Sequence, residues 1–248
     1  MFLSGLYIRE DNLWKQTDKF SEDENLERYL DVIYTNCIAG YRFGPDFLED
    51  SCWHNNDLTN DSNTTIAVDR RYAEDLTAAV FTGVGNGLVR EHLNDMPVKQ
   101  LSMGGWLKAD KIDHPAGIIA LGRGKDDSTA ISLEPVKGLR YRIHAGGSQV
   151  EGSAAKDFDL HDNRWHHVYL TYDSASVTLY LDGDLKDSLS AGGLINSAPV
   201  LHIGSSAEEK DGAADTFKGR LDDIQVYNKA LTADEIQLKH ENGTMQSL

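Results

Sequence analysis

The chain has 248 residues, of which 40% are hydrophobic, and its formal net charge at pH 7 is −16. This charge argues against a nucleic-acid partner and against binding to an anionic membrane, because both depend on clustered Lys and Arg residues. The sequence has no run of about 18 apolar residues that could insert into a bilayer. Its 22 glycines and 5 prolines suit many turns between short strands, and its length suits one large all-β core.

The N-terminal segment predicts a helix. Ser21 and Glu24 have the spacing of a capping box, and apolar residues follow at helical intervals, so residues 22–35 are expected to form an amphipathic helix. The first eleven residues lack the basic start and the long apolar stretch of a secretory signal. The mature chain therefore begins here, the sequence is a fragment, or export uses another route. We predict an extension over residues 1–37 and one domain over residues 38–248.

Two cysteines, Cys37 and Cys52, leave two interpretations open. They could form one bridge that closes a modest loop, which would indicate an extracellular protein. They could equally be two buried thiols.

Alternating apolar and polar residues predict about a dozen strands, separated by clusters of Gly, Asp, Asn and Ser. The strands are expected near residues 39–43, 78–82, 88–90, 101–109, 117–121, 129–133, 139–144, 165–172, 176–181, 185–190, 200–203 and 217–227. The longest polar stretches, residues 55–65 and 205–215, are predicted loops, and loops on a rigid scaffold often carry binding sites.

The C-terminal third contains the clearest local signals. Asp182-Gly183 lies between two alternating strands, and a tight hairpin turn needs the positive φ angles that this pair adopts. Thr232 and Glu235 have capping-box spacing after the last strand, so a short terminal helix is expected to begin there.

Several segments in this order resemble the laminin G-like jelly rolls of the concanavalin A-like lectin and glucanase superfamily. They read RWHHVYLTYD, VTLYLDGDL, LHIGSS and GRLDDIQVYNKALTADEI, and AGYRFGPDFLEDSCWHNNDLT, AAVFTGVGNGLV and LSMGGWLKAD are similar to the opening strands. The resemblance covers residues 38–242. It implies an all-β, two-sheet antiparallel jelly-roll sandwich with a short helix at each end, whose first and last strands run close together.

The resemblance also implies a structural calcium ion. Calcium-binding members of the family tend to take oxygen donors from the loop after the first strand and from the last strand. Here these regions contain Asp50, Asn55, Asp57 and Asp222, and carboxylate and amide oxygens are suitable calcium ligands. The alternative is that the Asp and Asn residues only form local turns.

A ligand face is expected on the outer side of a sheet. Alternation that places Val168 and Leu170 inward points the polar residues outward. The predicted ligand-binding residues are Arg140, Arg142, His167, Tyr169 and Tyr180. Tyrosine rings stack on sugars and arginines grip carboxylate or sulfate groups, so an acidic glycan is a suitable ligand. The competing interpretation is that loops or another chain cover this face, or that it is only solvated.

The resemblance alone leaves three functions open. The first is a non-catalytic carbohydrate-binding module of a secreted or surface protein. The second is an adhesion module of a surface or virion protein, with the N-terminal helix contacting a protein partner. The third is a divergent glycosidase or lyase, but the Glu-x-Asp-x-x-Glu strand of the family's glycosidases is not recognisable, since Asp182, Asp184 and Asp187 straddle a turn. We therefore expect no enzymatic activity.

Overall fold

The computed structural model describes residues 8–10, 13–15, 36–44, 47–52, 54–60, 64–68, 77–85, 87–206 and 216–245. The helix predicted over residues 22–35 lies outside these ranges. Within them, the fold is an antiparallel two-sheet sandwich with one C-terminal α-helix, which confirms the all-β prediction. None of the helical residues described forms a segment long and apolar enough to cross a membrane.

The described residues include seventeen strands. They are β1 (Ile8–Glu10), β2 (Leu13–Lys15), β3 (Cys37–Tyr41), β4 (Thr59–Asn60), β5 (Thr65–Val68), β6 (Thr77–Thr82), β7 (Leu88–Arg90), β8 (Leu101–Ala109), β9 (Ala116–Leu121), β10 (Thr129–Leu133), β11 (Leu139–Ala145), β12 (Ser148–Ala154), β13 (His166–Tyr172), β14 (Ser176–Leu181), β15 (Asp184–Ser190), β16 (Leu201–Ile203) and β17 (Lys218–Tyr227). The helix α1 (Ala233–Met245) follows β17, and β1 and β2 form a separate two-stranded sheet.

The described strands form two packed sheets. The seven-stranded sheet has the order β12-β11-β10-β9-β16-β7-β4. The eight-stranded sheet has the order β15-β14-β13-β8-β17-β6-β5, and β3 also pairs with β17. Along one edge of β17, one half pairs with β6 and the other half with β3. The other edge pairs with β8, and the register of this pairing shifts between Asp222 and Gln225. The predicted closeness of the first and last strands of the domain is confirmed.

The core lies between the sheets. Alternation along each strand sends one set of apolar side chains inward, among them Met103, Ile131, Ile143 and Leu170, all of which are fully buried. The local signals in the C-terminal third are also confirmed. Asp182 and Gly183 have φ angles of 52° and 83°. Thr232 and Glu235 exchange the two hydrogen bonds of a capping box.

Helix α1 covers the outer face of the eight-stranded sheet. A second apolar cluster joins Ile236 of the helix and Leu231 before it to the outward tyrosines of the sheet, Tyr169, Tyr180 and Tyr227. Lys239 of the helix is buried there, and its Nζ donates to Gln225 Oε1 and to the Tyr227 hydroxyl. These bonds satisfy a buried ammonium group that would otherwise oppose docking.

Cys37 and Cys52 form a disulfide. The bridge ties the loop after β3 back to the start of that strand, so of the two open interpretations the bridged one is confirmed.

Candidate functional site

The five predicted ligand-binding residues do not share a face. Arg140 and Arg142 lie on β11 of the seven-stranded sheet, whereas His167, Tyr169 and Tyr180 lie on β13 and β14 of the eight-stranded sheet. All five point away from the core, but the outer faces of two packed sheets look in opposite directions. The prediction of one common surface is wrong, because alternation distinguishes inside from outside without telling which sheet a strand joins.

The three residues on the eight-stranded sheet are buried beneath other groups. Tyr169 is 0% exposed, His167 is 2% exposed and Tyr180 is 6% exposed. The His240 ring of α1 stacks on Trp106 with the ring centroids 5.7 Å apart, next to His167. The structure agrees with the competing interpretation, in which other groups of the protein cover this face.

The two arginines on the seven-stranded sheet are already engaged. Arg142 is buried, and its Nε donates to Ser128 Oγ at 2.7 Å. The Nε atom of Arg140 lies 3.0 Å from Glu134 Oε1 and 3.5 Å from Glu151 Oε1. Only Arg140 of the five residues keeps a substantially exposed side chain, and two carboxylates neutralise its charge.

The predicted calcium ligands fall into two environments. Asp50 lies in the loop after β3 and is largely buried, and its carboxylate oxygens accept hydrogen bonds from four main-chain N–H groups. Asp57 Oδ1 accepts a hydrogen bond from the Asp50 N–H at 2.9 Å, and Asn55 is exposed with a φ of 56°. Asp222 is buried on β17 opposite Trp106. No group of three or more His, Cys, Asp and Glu side chains within the described ranges is arranged to hold a metal ion.

The loop after β3 is joined to residues 94–95 by hydrogen bonds. Asn56 is fully buried, and its side chain accepts from the Asn94 N–H at 2.7 Å and donates to the Ile38 carbonyl at 2.7 Å. Asn94 in turn donates through Nδ2 to the His54 carbonyl at 2.8 Å. These hydrogen bonds therefore hold the two loops together as one unit beside β3.

Tyr41 supports this unit from below. Its hydroxyl donates to the Asn56 carbonyl at 2.6 Å. Burial raises the pKa of Tyr41 well above its usual value, and the nearby Asp50 charge raises it further. The phenol therefore stays protonated and remains a donor at any physiological pH.

The solvent-facing side of the unit carries four polar residues that we call the end cluster: His54, Asn55, Asn94 and Asp95. His54 Nδ1 lies 2.6 Å from Asp95 Oδ2, and the two side chains are 36% and 62% exposed. The ring nitrogens of His54 can donate or accept hydrogen bonds, depending on the tautomer. The cluster thus groups a carboxylate, an imidazole and two side-chain amides on loops that hydrogen bonds hold together. Of these four residues, only Asn55 belonged to a predicted site, as a calcium ligand. His54, Asn94 and Asp95 were missed, because only the fold brings residues 94–95 beside His54.

Comparisons with known proteins agree with this fold. A family model described as "Concanavalin A-like lectin/glucanases superfamily" matches residues 82–237. Among curated proteins, none matches the chain. The chain superimposes on the binding domain of Paraclostridial Mosquitocidal Protein 1 with a TM-score of 0.68 and 18% identity, covering 84% of this chain and 52% of that one. The chain thus spans about half of that structure.

Two further structures share the fold. Domain 4 of AbnA, an extracellular arabinanase from Geobacillus stearothermophilus solved with arabinotriose, has a TM-score of 0.63 and 19% identity, over 82% of this chain and 97% of that one. The botulinum neurotoxin serotype D ligand-binding domain, solved with N-acetylneuraminic acid, has a TM-score of 0.64 and 15% identity. The match covers 84% of this chain and 51% of that one. These structural likenesses show a common fold, and the family match extends over more than half of the sequence. The chain belongs to the laminin G-like domains of the concanavalin A-like lectin and glucanase superfamily.

Proposed function

We propose that this chain is a non-catalytic glycan-binding module of a secreted protein and that the glycan binds at the end cluster. The observation that carries the proposal is the exposed His54–Asp95 pair, which the Asn56–Asn94 hydrogen bonds hold in place. A site whose polar groups are fixed before binding pays less entropy to order them, which favours weakly binding ligands such as sugars.

Two structures of the same fold were solved with sugars, arabinotriose and N-acetylneuraminic acid. They support saccharide recognition as a use of this fold, while the site itself must be argued from this chain. The disulfide supports a secreted protein, since such bridges persist in oxidising compartments.

The ligand that suits the end cluster is a neutral oligosaccharide. The cluster contains the carboxylate of Asp95, and the exposed Asp57 lies in the same loop as His54. Sugar hydroxyls donate to carboxylate and imidazole acceptors, whereas a carboxylated or sulfated sugar would meet like charge. The acidic glycan predicted from sequence depended on Arg140 and Arg142, which are occupied by Glu134, Glu151 and Ser128.

A glycan array followed by calorimetry tests the proposal. We expect the protein to bind neutral oligosaccharides without releasing reducing ends. We expect His54→Ala and Asp95→Ala each to weaken binding about tenfold or more, since the loss of one well-placed polar contact costs on the order of 1.4 kcal/mol. Arg140→Ala is the matched control on the seven-stranded sheet and should bind normally.

The outcomes separate the competing functions. Absence of binding across neutral and acidic glycans would reject the module, and loss of binding in Arg140→Ala alone would move the site to the seven-stranded sheet. Release of reducing ends would favour the glycosidase or lyase alternative. The adhesion alternative predicts that the helix expected over residues 22–35 contacts a protein partner, and that segment lies outside the described residues.

A further inference from the structure

The Asp50 carboxylate is the centre of the loop after β3. Its Oδ1 accepts from the N–H groups of Gly40 at 3.0 Å and Cys52 at 2.9 Å. Its Oδ2 accepts from the N–H groups of His54 at 3.0 Å and Asn56 at 3.2 Å. One side chain therefore joins the strand β3 to alternate residues around the turn.

These four bonds use the acceptor sites at which a cation would bind. A carboxylate offers about four lone-pair directions, and a calcium ion would need at least one of them. The N–H groups also point the positive ends of their dipoles at the Asp50 oxygens, which stabilises the anion and repels a cation. Asp50 therefore does not fit the calcium-ligand role that the family resemblance implies.

The neighbouring oxygens of the loop are used in the same way. Asp57 Oδ1 accepts from the Asp50 N–H, and Asn56 Oδ1 accepts from the Asn94 N–H. The Ser51 N–H and hydroxyl both donate to the Gly40 carbonyl, at 2.8 Å and 2.9 Å. The turn is therefore closed by protein groups, along the edge of β3 that faces the loop.

We propose that the Asp50 carboxylate organises this loop in place of a divalent cation, so that the domain folds and keeps its stability without calcium. The anion gathers the main-chain N–H groups around itself, whereas a calcium ion would gather carbonyl and carboxylate oxygens. This inference is independent of the proposed glycan function, because it concerns the conformation of the loop alone.

Thermal melts of the intact protein in excess calcium and in excess EDTA test the proposal, together with equilibrium dialysis against calcium and metal analysis. We expect equal Tm values and no stoichiometric calcium. Asp50→Asn should lower the Tm by roughly 5–10 °C in both buffers, because an amide offers one acceptor oxygen where the carboxylate offers two. Glu49→Gln is the matched control, since it removes the same charge from an exposed neighbour and should leave the Tm unchanged.

One bound calcium per chain, or a Tm that rises with calcium and loses this rise in Asp50→Asn, would overturn the proposal. An Asp50→Asn variant with the Tm of the parent protein would also overturn it. If Asp50→Asn fails to fold, the melts and the dialysis of the unsubstituted protein still decide. None of these measurements uses a glycan, so failure here and failure of glycan binding are separate results.

Discussion

Asn56 illustrates how a single side chain can connect two loops that are distant in sequence. It is fully buried, and its side-chain amide forms hydrogen bonds with two main-chain groups. Nδ2 donates to the Ile38 carbonyl, and Oδ1 accepts from the Asn94 N–H. Its position in an oxygen-rich loop was visible in the sequence, which predicted a metal site or local turns there. The inward direction of its amide could not be predicted, because only folding brings its partner Asn94 next to it.

We expect Asn56→Ala to lower the free energy of unfolding by about 2–4 kcal/mol, because the buried Ile38 carbonyl and the part-buried Asn94 N–H both lose their hydrogen bonds to the Asn56 side chain. Chemical denaturation measures this change. Asn55→Gly serves as the control: the neighbouring side chain is exposed, and glycine tolerates the positive φ at that position. Equal stability of the two variants would show that Asn56 does not hold the loops together.

At the scale of elements, strand bounds were predicted well where alternation is clear, but five strands of the described chain were missed: β1, β2, β4, β5 and β12. Of these, β4 lies inside the loop predicted over residues 55–65. β8 and β10 have the bounds that alternation predicted. β12 was not predicted, although Gly146 and Gly147, which form the turn before it, have φ angles of 59° and 76°. This pair is a hairpin signal. The strand itself has mostly polar residues and lies at a sheet edge, so its apolar pattern is weak.

His166 joins two elements through both of its ring nitrogens. Nδ1 lies 2.9 Å from Asp182 Oδ2 in the β14–β15 turn, and Nε2 lies 3.1 Å from Asp162 Oδ1 in the loop before β13. Burial disfavours the charged ring, but the hydrogen bonds and charges of Asp182 and Asp162 outweigh burial and raise the pKa of His166 above 6.5. Arg164, 3.6 Å from Asp162, is the nearby cation.

This arrangement predicts a pH-dependent contribution to stability. Because the folded pKa is raised, the contribution is complete below the unfolded pKa and is lost as pH rises through the folded pKa. We expect His166→Gln to cost about 1–3 kcal/mol near pH 5.5 and distinctly less near pH 8.5. Urea unfolding at both pH values measures the difference, and the exposed His92→Gln is the control. A cost that grows with pH would contradict the assigned charge state.

At the scale of the whole molecule, the sequence motifs identified the family and the two-sheet architecture, but not the partition of strands between the sheets. β11 and β13 show the same alternation, yet they belong to different sheets. Their outward residues, such as Arg140 and Tyr169, are therefore on opposite sides of the molecule. The five predicted ligand-binding residues therefore do not form one face. The sequence could not show this, because the order of strands in a sheet depends on contacts between residues far apart in sequence.

The Cys37–Cys52 bridge is a further constraint on the molecule, with a sequence separation of 15. Closing a loop of this size is expected to stabilise the fold by about 3 kcal/mol. Reduction should therefore lower the Tm by roughly 6–12 °C. A Cys37→Ser/Cys52→Ser variant should melt near the reduced protein and be insensitive to reductant. Identical melting of oxidised and reduced protein would show that the bridge does not contribute.

The pairing of β17 with three strands, β3 and β6 on one edge and β8 on the other, has a consequence for biosynthesis. Tyr41 pairs with Ile224, and Val80 pairs with Arg220, so the eight-stranded sheet is completed by a strand that the ribosome delivers after β3, β6 and β8. Until then, β3, β6 and β8 each expose an edge that β17 will later occupy. Such edges recruit other chains. Nascent chains that stall before residue 218 should therefore depend on chaperones and aggregate readily, while the completed protein should not.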